Sequence, residues 1–167
     1  NRALIEPRKS SMLPPMAQRY VSNKNESVRM FESDFMEFFS HVHPATPVVI
    51  YLPLMSYMLY LAAVPRAVPP GMVAGLFAAG ILIWTLVEYT MHRWVFHYQP
   101  KENWKWAQRL HFIMHGVHHD YPSDAKRLVL PPSLSIPLAT GFYFLFKALL
   151  PVNYVFGFFP GFILGYL

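Results

Sequence analysis

Residues 111–119 read His-Phe-Ile-Met-His-Gly-Val-His-His, four imidazoles in nine residues. His92 and His97 precede them as an HxxxxH pair, so six of the eight histidines fall between residues 92 and 119. The chain has no cysteine, and no other set of its residues offers comparable ligands for a transition metal. Imidazole suits zinc, iron, copper and nickel. On an α-helix, at about 100° per residue, His111, His115 and His118 share one stripe and His119 falls at its edge. Side chains four apart on that stripe are about 5–6 Å apart at Cβ, so several rings can point into one pocket. His92 and His97 diverge by roughly 140° in the same geometry. That suits a pocket entered from a helix end, or two adjoining metals, better than one shared ion. The plain alternative is a histidine-rich surface loop. The two-block arrangement and the apolar setting, where an unpaired polar ring costs energy, favour metal binding.

The elements that must position these rings are apolar. Hydrophobic residues make up 54% of the 167 and charged residues 14%, well below the roughly 25% charged residues of a soluble domain. Residues 46–65, 67–87, 128–146 and 148–167 carry no charge at all. A bilayer core is crossed by about 20 apolar residues, and a soluble core explains one such run but not four. The composition therefore predicts an all-α integral membrane protein. Its four transmembrane helices form two hairpins, near 46–91 and 130–167. Pro65, Pro69-Pro70-Gly71 and Pro151-Val152-Asn153 mark the turns.

The basic residues predict orientation. Six Lys/Arg lie in the first 46 residues and six more in 92–127, namely Arg93, Lys101, Lys105, Arg109, Lys126 and Arg127; the turns between the apolar runs have only Arg66 and Lys147. By the positive-inside rule the N-terminus and the histidine segment share the cytoplasmic side, which makes the latter a cytosolic histidine-rich cap at the membrane surface. The net charge of +5 reads as contact with anionic headgroups. Nucleic acid is a poor partner, because the basic residues are not clustered on a soluble module.

Around the histidines, Glu88 stands one helical turn before His92. It can accept a proton from a ligand ring or be an interfacial acid near a helix end. Trp94, Trp104, Trp106, Tyr89 and Tyr98 are typical of a membrane–water interface, and 101–109 mixes charge with Trp as an interfacial amphipathic helix does. Asp124 can hydrogen-bond a ligand histidine or cap a helix, and Arg127 can hold a phosphate or carboxylate group or reach to the interface. His41 and His43 form an HxH pair whose position before the first apolar run points to an interfacial setting. The metal pocket so placed is open to lipid on one side and suits a long apolar substrate with its reacting carbon near the head.

Three segments together carry a family resemblance: Glu88-Tyr-Thr-Met-His-Arg-Trp-Val-Phe-His97, Leu110-His-Phe-Ile-Met-His-Gly-Val-His-His119, and Pro122-Ser-Asp124 with Arg127-Leu-Val-Leu-Pro-Pro132. They resemble the fatty acid 2-hydroxylases of the membrane histidine-box superfamily, which also holds sterol desaturases and carotene hydroxylases. The resemblance covers residues 31–167, an expected hydroxylase domain, after an expected cytoplasmic segment 1–30. It implies that His92, His97, His115, His118 and His119 are ligands of a dinuclear metal centre, with His111 in a supporting position. Iron is the implied active metal, and zinc can occupy the same ligands but has no redox chemistry.

The implied reaction is O2-dependent hydroxylation at the 2-position of a fatty acyl chain, either a sphingolipid N-acyl chain or a free fatty acid. Electrons would come from a cytochrome b5 or ferredoxin-type donor. The implied location is a bacterial inner membrane or the endoplasmic reticulum, with the metal site on the cytoplasmic face. Family members continue after the fourth helix with further histidine blocks, whereas this sequence stops at Gly165-Tyr166-Leu167. It therefore reads as a fragment lacking the C-terminal boxes, inactive alone. The competing expectations are a sterol desaturase or carotene hydroxylase, against which the RLVxPP run argues, and a non-catalytic metal-binding membrane protein.

Overall fold

The computed structural model describes residues 29, 31–98, 100, 101 and 103–167, and the side chains of Met114, His115, Val117 and His118 lie outside that description. So does nearly all of the expected cytoplasmic segment 1–30. Among the described residues every regular element is a helix: α1 (Asp34–Ser40), α2 (Thr46–Ala63), α3 (Pro70–Met91), a π turn (His92–Phe96), α4 (Lys105–His111), a second π turn (Phe112–Gly116), α5 (Val117–Asp120), α6 (Pro132–Leu149) and α7 (Val152–Tyr166).

Local chemistry accounts for most of the boundaries. Ser33 caps α1, its Oγ accepting the Met36 N–H at 3.5 Å, and Asp34 and Glu37 sit in the first turn, where negative charge complements the helix dipole. A proline in the first helical turn has no hydrogen bond to lose. Pro47, Pro70 and Pro132 occupy such positions in α2, α3 and α6, and Pro151 immediately precedes α7. The turns therefore fall at 64–69 and 150–151, at the proline signals. Pro53, Pro137 and Pro160 lie inside α2, α6 and α7, a placement that apolar surroundings and neighbouring helices make tolerable.

Two helices, Thr46–Ala63 and the 27-residue run Pro70–Phe96, are long and apolar enough to cross a membrane, and Val152–Tyr166 is a shorter apolar helix. The chain divides into two compact units. One is Ala45–Val95 with Pro132–Leu167, and the other is Asn1–Pro44 with Phe96–Pro131.

The first unit is a four-helix assembly organised on α7 rather than on the two hairpins. α7 contributes Val155, Phe158, Phe159, Phe162 and Ile163 to a buried core completed by Tyr51, Met55 and Met58 of α2 and Phe146 of α6. Phe146 meets Phe158 and Phe162 with ring centroids 4.8 and 4.9 Å away, and Trp84 of α3 meets Phe162 edge-on at 5.1 Å. Glycine lets α3 and α7 approach at backbone distance. A Cβ on Gly80 would fall 2.6 Å from Phe162 N, and one on Gly161 would run into the Phe77 carbonyl, 2.7 Å from its carbon. Gly157, Gly161 and Gly165 recur every four residues along α7, the small-residue spacing by which apolar helices pack closely. The Tyr51 hydroxyl donates to Ser135 Oγ at 3.0 Å, a buried polar tie between α2 and α6. An apolar cleft of about 400 Å³ lies between α2, α6 and α7, bounded by Tyr51, Met58, Tyr143 and Phe159 among others.

The second unit holds α1, α4, the second π turn, α5 and the loop that follows it. The Val42 N–H donates to the Lys126 carbonyl at 2.8 Å, joining the segment after α1 to the loop after α5.

Candidate metal centre

Both histidine blocks are built on π turns, which the α-helical reading of the sequence did not anticipate. α3 passes without a break into His92–Phe96. The His92 N–H is shared between the carbonyls of Glu88 and Tyr89. A π turn closes after one residue more than an α turn, with i→i+5 hydrogen bonds. The 140° divergence expected of His92 and His97 assumes an unbroken α-helix, and the backbone over His92–Phe96 takes the π register instead. The second block likewise changes register at Phe112–Gly116 before resuming as α5. The single α stripe expected for His111, His115 and His118 does not run through.

Within the unit that contains both, His97 and His119 come together. Their ring centroids are 5.3 Å apart at an interplanar angle of 68°, and each offers a ring nitrogen within 4.8 Å of the other's. Both are exposed, so neither ring is filling a core. This pair, from the ends of the two blocks, can hold a metal ion: both donors are imidazoles, ligands that iron and zinc accept. The donor set fits a metal ion of either kind and does not choose between them.

His111 is engaged differently. Its Nε2 lies 2.6 Å from the Phe96 carbonyl oxygen, a bond across fifteen residues that ties the second block to the end of the first. His115 and His118 belong by backbone to the second π turn and to α5, and their side chains are outside the described residues. Glu88 is exposed, one turn before His92.

Asp124 and Arg127 are organised by a partner that sequence reasoning missed. Arg127 is turned inward with its side chain 4% exposed. Its Nη2 is 2.6 Å from Glu37 Oε1 of α1, and its Nε is 3.2 Å from Asp124 Oδ2. Asp124, 1% exposed, also accepts the Lys126 N–H on Oδ1 at 3.1 Å, which folds the loop into a tight turn. His41 Nε2 stands 3.2 Å from the same guanidinium nitrogen. The position expected for a headgroup-binding arginine is thus occupied by a buried clamp between α1 and the loop after α5. Glu37 left one signal in the sequence, an acid within an otherwise apolar Phe35-Met-Glu-Phe-Phe39, but its partner is 90 residues away.

Removing one partner of a buried ion pair leaves an uncompensated charge and costs about 3–5 kcal/mol. Arg127→Met is expected to destabilise the second unit by that amount, with Arg127→Lys in between because the planar fork is lost. Thermal unfolding of the purified protein in detergent reads this out, and an unchanged melting temperature for Arg127→Met would contradict the clamp.

Two apolar helices of membrane-crossing length, together with a pair of exposed histidines able to hold a metal ion, mark an all-helical class of protein. Similarity to known proteins narrows that class. The fatty acid 2-hydroxylase of Rattus norvegicus is 36% identical over 157 residues, 84% of this chain and 42% of that protein. A dihydroceramide fatty acyl 2-hydroxylase of Arabidopsis thaliana is 43% identical over 118 residues, 68% of this chain and 48% of its own length. The solved structure of full-length scs7p, with only its hydroxylase domain visible, superposes with a TM-score of 0.71 at 35% identity, covering 80% of this chain and 50% of that one. No family model matches. The chain belongs to the fatty acid 2-hydroxylase family, and it spans about half the length of the curated relatives it matches.

Proposed function

We propose that residues 31–167 are the hydroxylase domain of a membrane monooxygenase that hydroxylates a fatty acyl chain at the 2-position, with 1–30 as a cytoplasmic segment. The observation that carries this reading is the His97–His119 pair, in a chain 36% identical to a fatty acid 2-hydroxylase over 84% of its length. The apolar cleft is no rival site, because its lining has no titratable group other than tyrosine.

In this reading α2, α3, α6 and α7 cross the bilayer as four transmembrane helices. The Pro70–Phe96 run has 27 residues, which at about 1.5 Å each is roughly 40 Å, longer than a hydrocarbon core of about 30 Å. Its histidine end then emerges into the interface, and the basic residues of 92–127 support a cytoplasmic face, in an inner membrane or the endoplasmic reticulum.

His92, His97, His115, His118 and His119 are the proposed ligands of a dinuclear centre, with iron as the working metal. When bound, such a centre supplies O2-dependent oxidation of an unactivated C–H bond, with electrons from a cytochrome b5 or ferredoxin-type donor. The rest is the work of the chain. The His111 contact with the Phe96 carbonyl fixes the second block against the end of the first. Glu88 accepts a proton from a ligand ring one turn away. Asp124 supports the second block through its loop, and Arg127, held between Asp124 and Glu37, serves that loop rather than a lipid headgroup. The substrate is the acyl chain of a sphingolipid or a free fatty acid, entering from the bilayer with its head at the interface, so that the carbon beside the carbonyl is presented.

Lipid analysis of cells with and without the complete encoded protein tests this. A rise in 2-hydroxy acyl chains is expected. A change confined to sterols or carotenoids would replace the substrate class, and no change in any lipid would leave a metal-binding membrane protein without this activity.

A further inference from the structure

The short helix α1 turns Glu37 inward and its phenylalanines outward. At about 100° per residue, Phe35, Phe38 and Phe39 occupy an arc about 100° wide, and Glu37 lies opposite. The three phenylalanines are 70%, 74% and 49% exposed and Met36 is 49% exposed. They pack into a continuous patch, Phe35 on Phe39 at 4.8 Å and Phe38 on Phe39 at 5.4 Å. The orientation is locked from the other side. Glu37 Oε1 is paired with the Arg127 guanidinium at 2.6 Å, and Glu37 Oε2 accepts the Phe31 N–H at 2.9 Å. Rotating the patch out of view would therefore break a buried ion pair.

Covering each phenylalanine is worth about 1.5–3 kcal/mol, so such a patch implies an apolar occupant. Chain connection says which. Residues 41–45 separate α1 from α2, and five extended residues reach at most about 20 Å. α1 is thus connected within that reach to the start of Thr46–Ala63, a helix long and apolar enough to cross a membrane. We propose that α1 is a lipid-facing wedge lying in the bilayer interface, with Phe35, Phe38 and Phe39 inserted among the upper acyl chains. The ion clamp then joins this wedge to the loop after the second histidine block, so that the loop is held at the membrane surface. The inference rests on the proposal that α2 crosses the bilayer.

The chain has no cysteine, so Phe38→Cys accepts a single environment-sensitive fluorophore without interference from these residues. The probe is the complete protein in phosphatidylcholine nanodiscs carrying lipids spin-labelled either near the headgroup or near the chain end. An interfacial helix buries its apolar face about 5–10 Å below the headgroups, so quenching of about two-fold or more by the shallow label, and clearly less by the deep one, is expected. Phe35→Cys repeats the measurement with an independent variant. Leu82→Cys, at an exposed position within α3, reports on membrane crossing itself. If the Leu82 label is quenched by lipid while those at 35 and 38 are not, the wedge is refuted and the membrane reading stands. If none of the three is quenched, both fall. Labels at 35 and 38 that are shielded from lipid and from aqueous iodide alike would overturn the wedge in favour of a protein partner.

Discussion

His119→Ala is expected to lower 2-hydroxylation by the complete protein at least about 100-fold, beyond the 10–100-fold typical of losing a residue that only supports a metal ligand. His97→Ala should match it, because the two rings face each other at 5.3 Å and an ion held between them needs both. Bound metal should fall with activity, from about two ions per chain to one or fewer if the proposed two-metal arrangement holds. His111→Ala tests the contrast. Its ring is already engaged by the Phe96 carbonyl at 2.6 Å, so its loss should stay within the 10–100-fold range with most metal retained. Metal analysis on the same preparations separates the roles. A His119→Ala protein that keeps its full metal complement and activity would remove that ring from the site. Loading with zinc in place of iron should give a folded, metal-filled and inactive protein, since zinc lacks redox chemistry.

Gly161→Ala is expected to disrupt the four-helix unit outright. The added methyl would be driven into the Phe77 backbone, 2.7 Å from its carbonyl carbon, and a backbone cannot swing aside as a side chain does. α3 and α7 must separate, which also loosens Trp84 and Phe162 from their edge-on contact at 5.1 Å. Overpacking usually costs 1–3 kcal/mol, and a backbone collision belongs at or above about 3 kcal/mol. Gly75→Ala provides the opposite sign. Nothing lies within 4 Å of a Cβ built there, and replacing a mid-helix glycine removes a penalty of about 0.5–1 kcal/mol. Size-exclusion profiles after graded heating in detergent should therefore show Gly161→Ala aggregating early and Gly75→Ala surviving slightly hotter than the parent. Equal heat stability of Gly161→Ala and the parent would mean that the α3–α7 approach is wider than described.

Much of this was legible in the amino-acid order. The uncharged runs beginning at 46, 67, 128 and 148 became α2, α3, α6 and α7, and the proline signals at 65–71 and 151 became their turns. These features are local: a proline ends or starts a helix wherever it stands, and a run without charge avoids water whatever its neighbours. The histidine blocks, and the metal chemistry they allow, were equally plain, because ligand chemistry resides in the side chain itself. Glu88 was placed one turn from His92 by spacing alone, and the backbone agrees.

What tertiary structure alone decided has a common cause, which is that the deciding partner is distant or its energy is shared. α and π turns differ by one residue in hydrogen-bond register, and the same side chains accept either, so the π turns at 92–96 and 112–116 could not be read from 3.6-residue periodicity. Arg127 had the look of an interfacial arginine until Glu37, 90 positions earlier, drew it inward, and that same bond turned the phenylalanines of α1 outward. The pairing of α3 with α7, rather than with its hairpin neighbour α2, depends on glycines on both helices meeting at backbone distance. Composition names those glycines, but only the assembled helices bring their bare faces together.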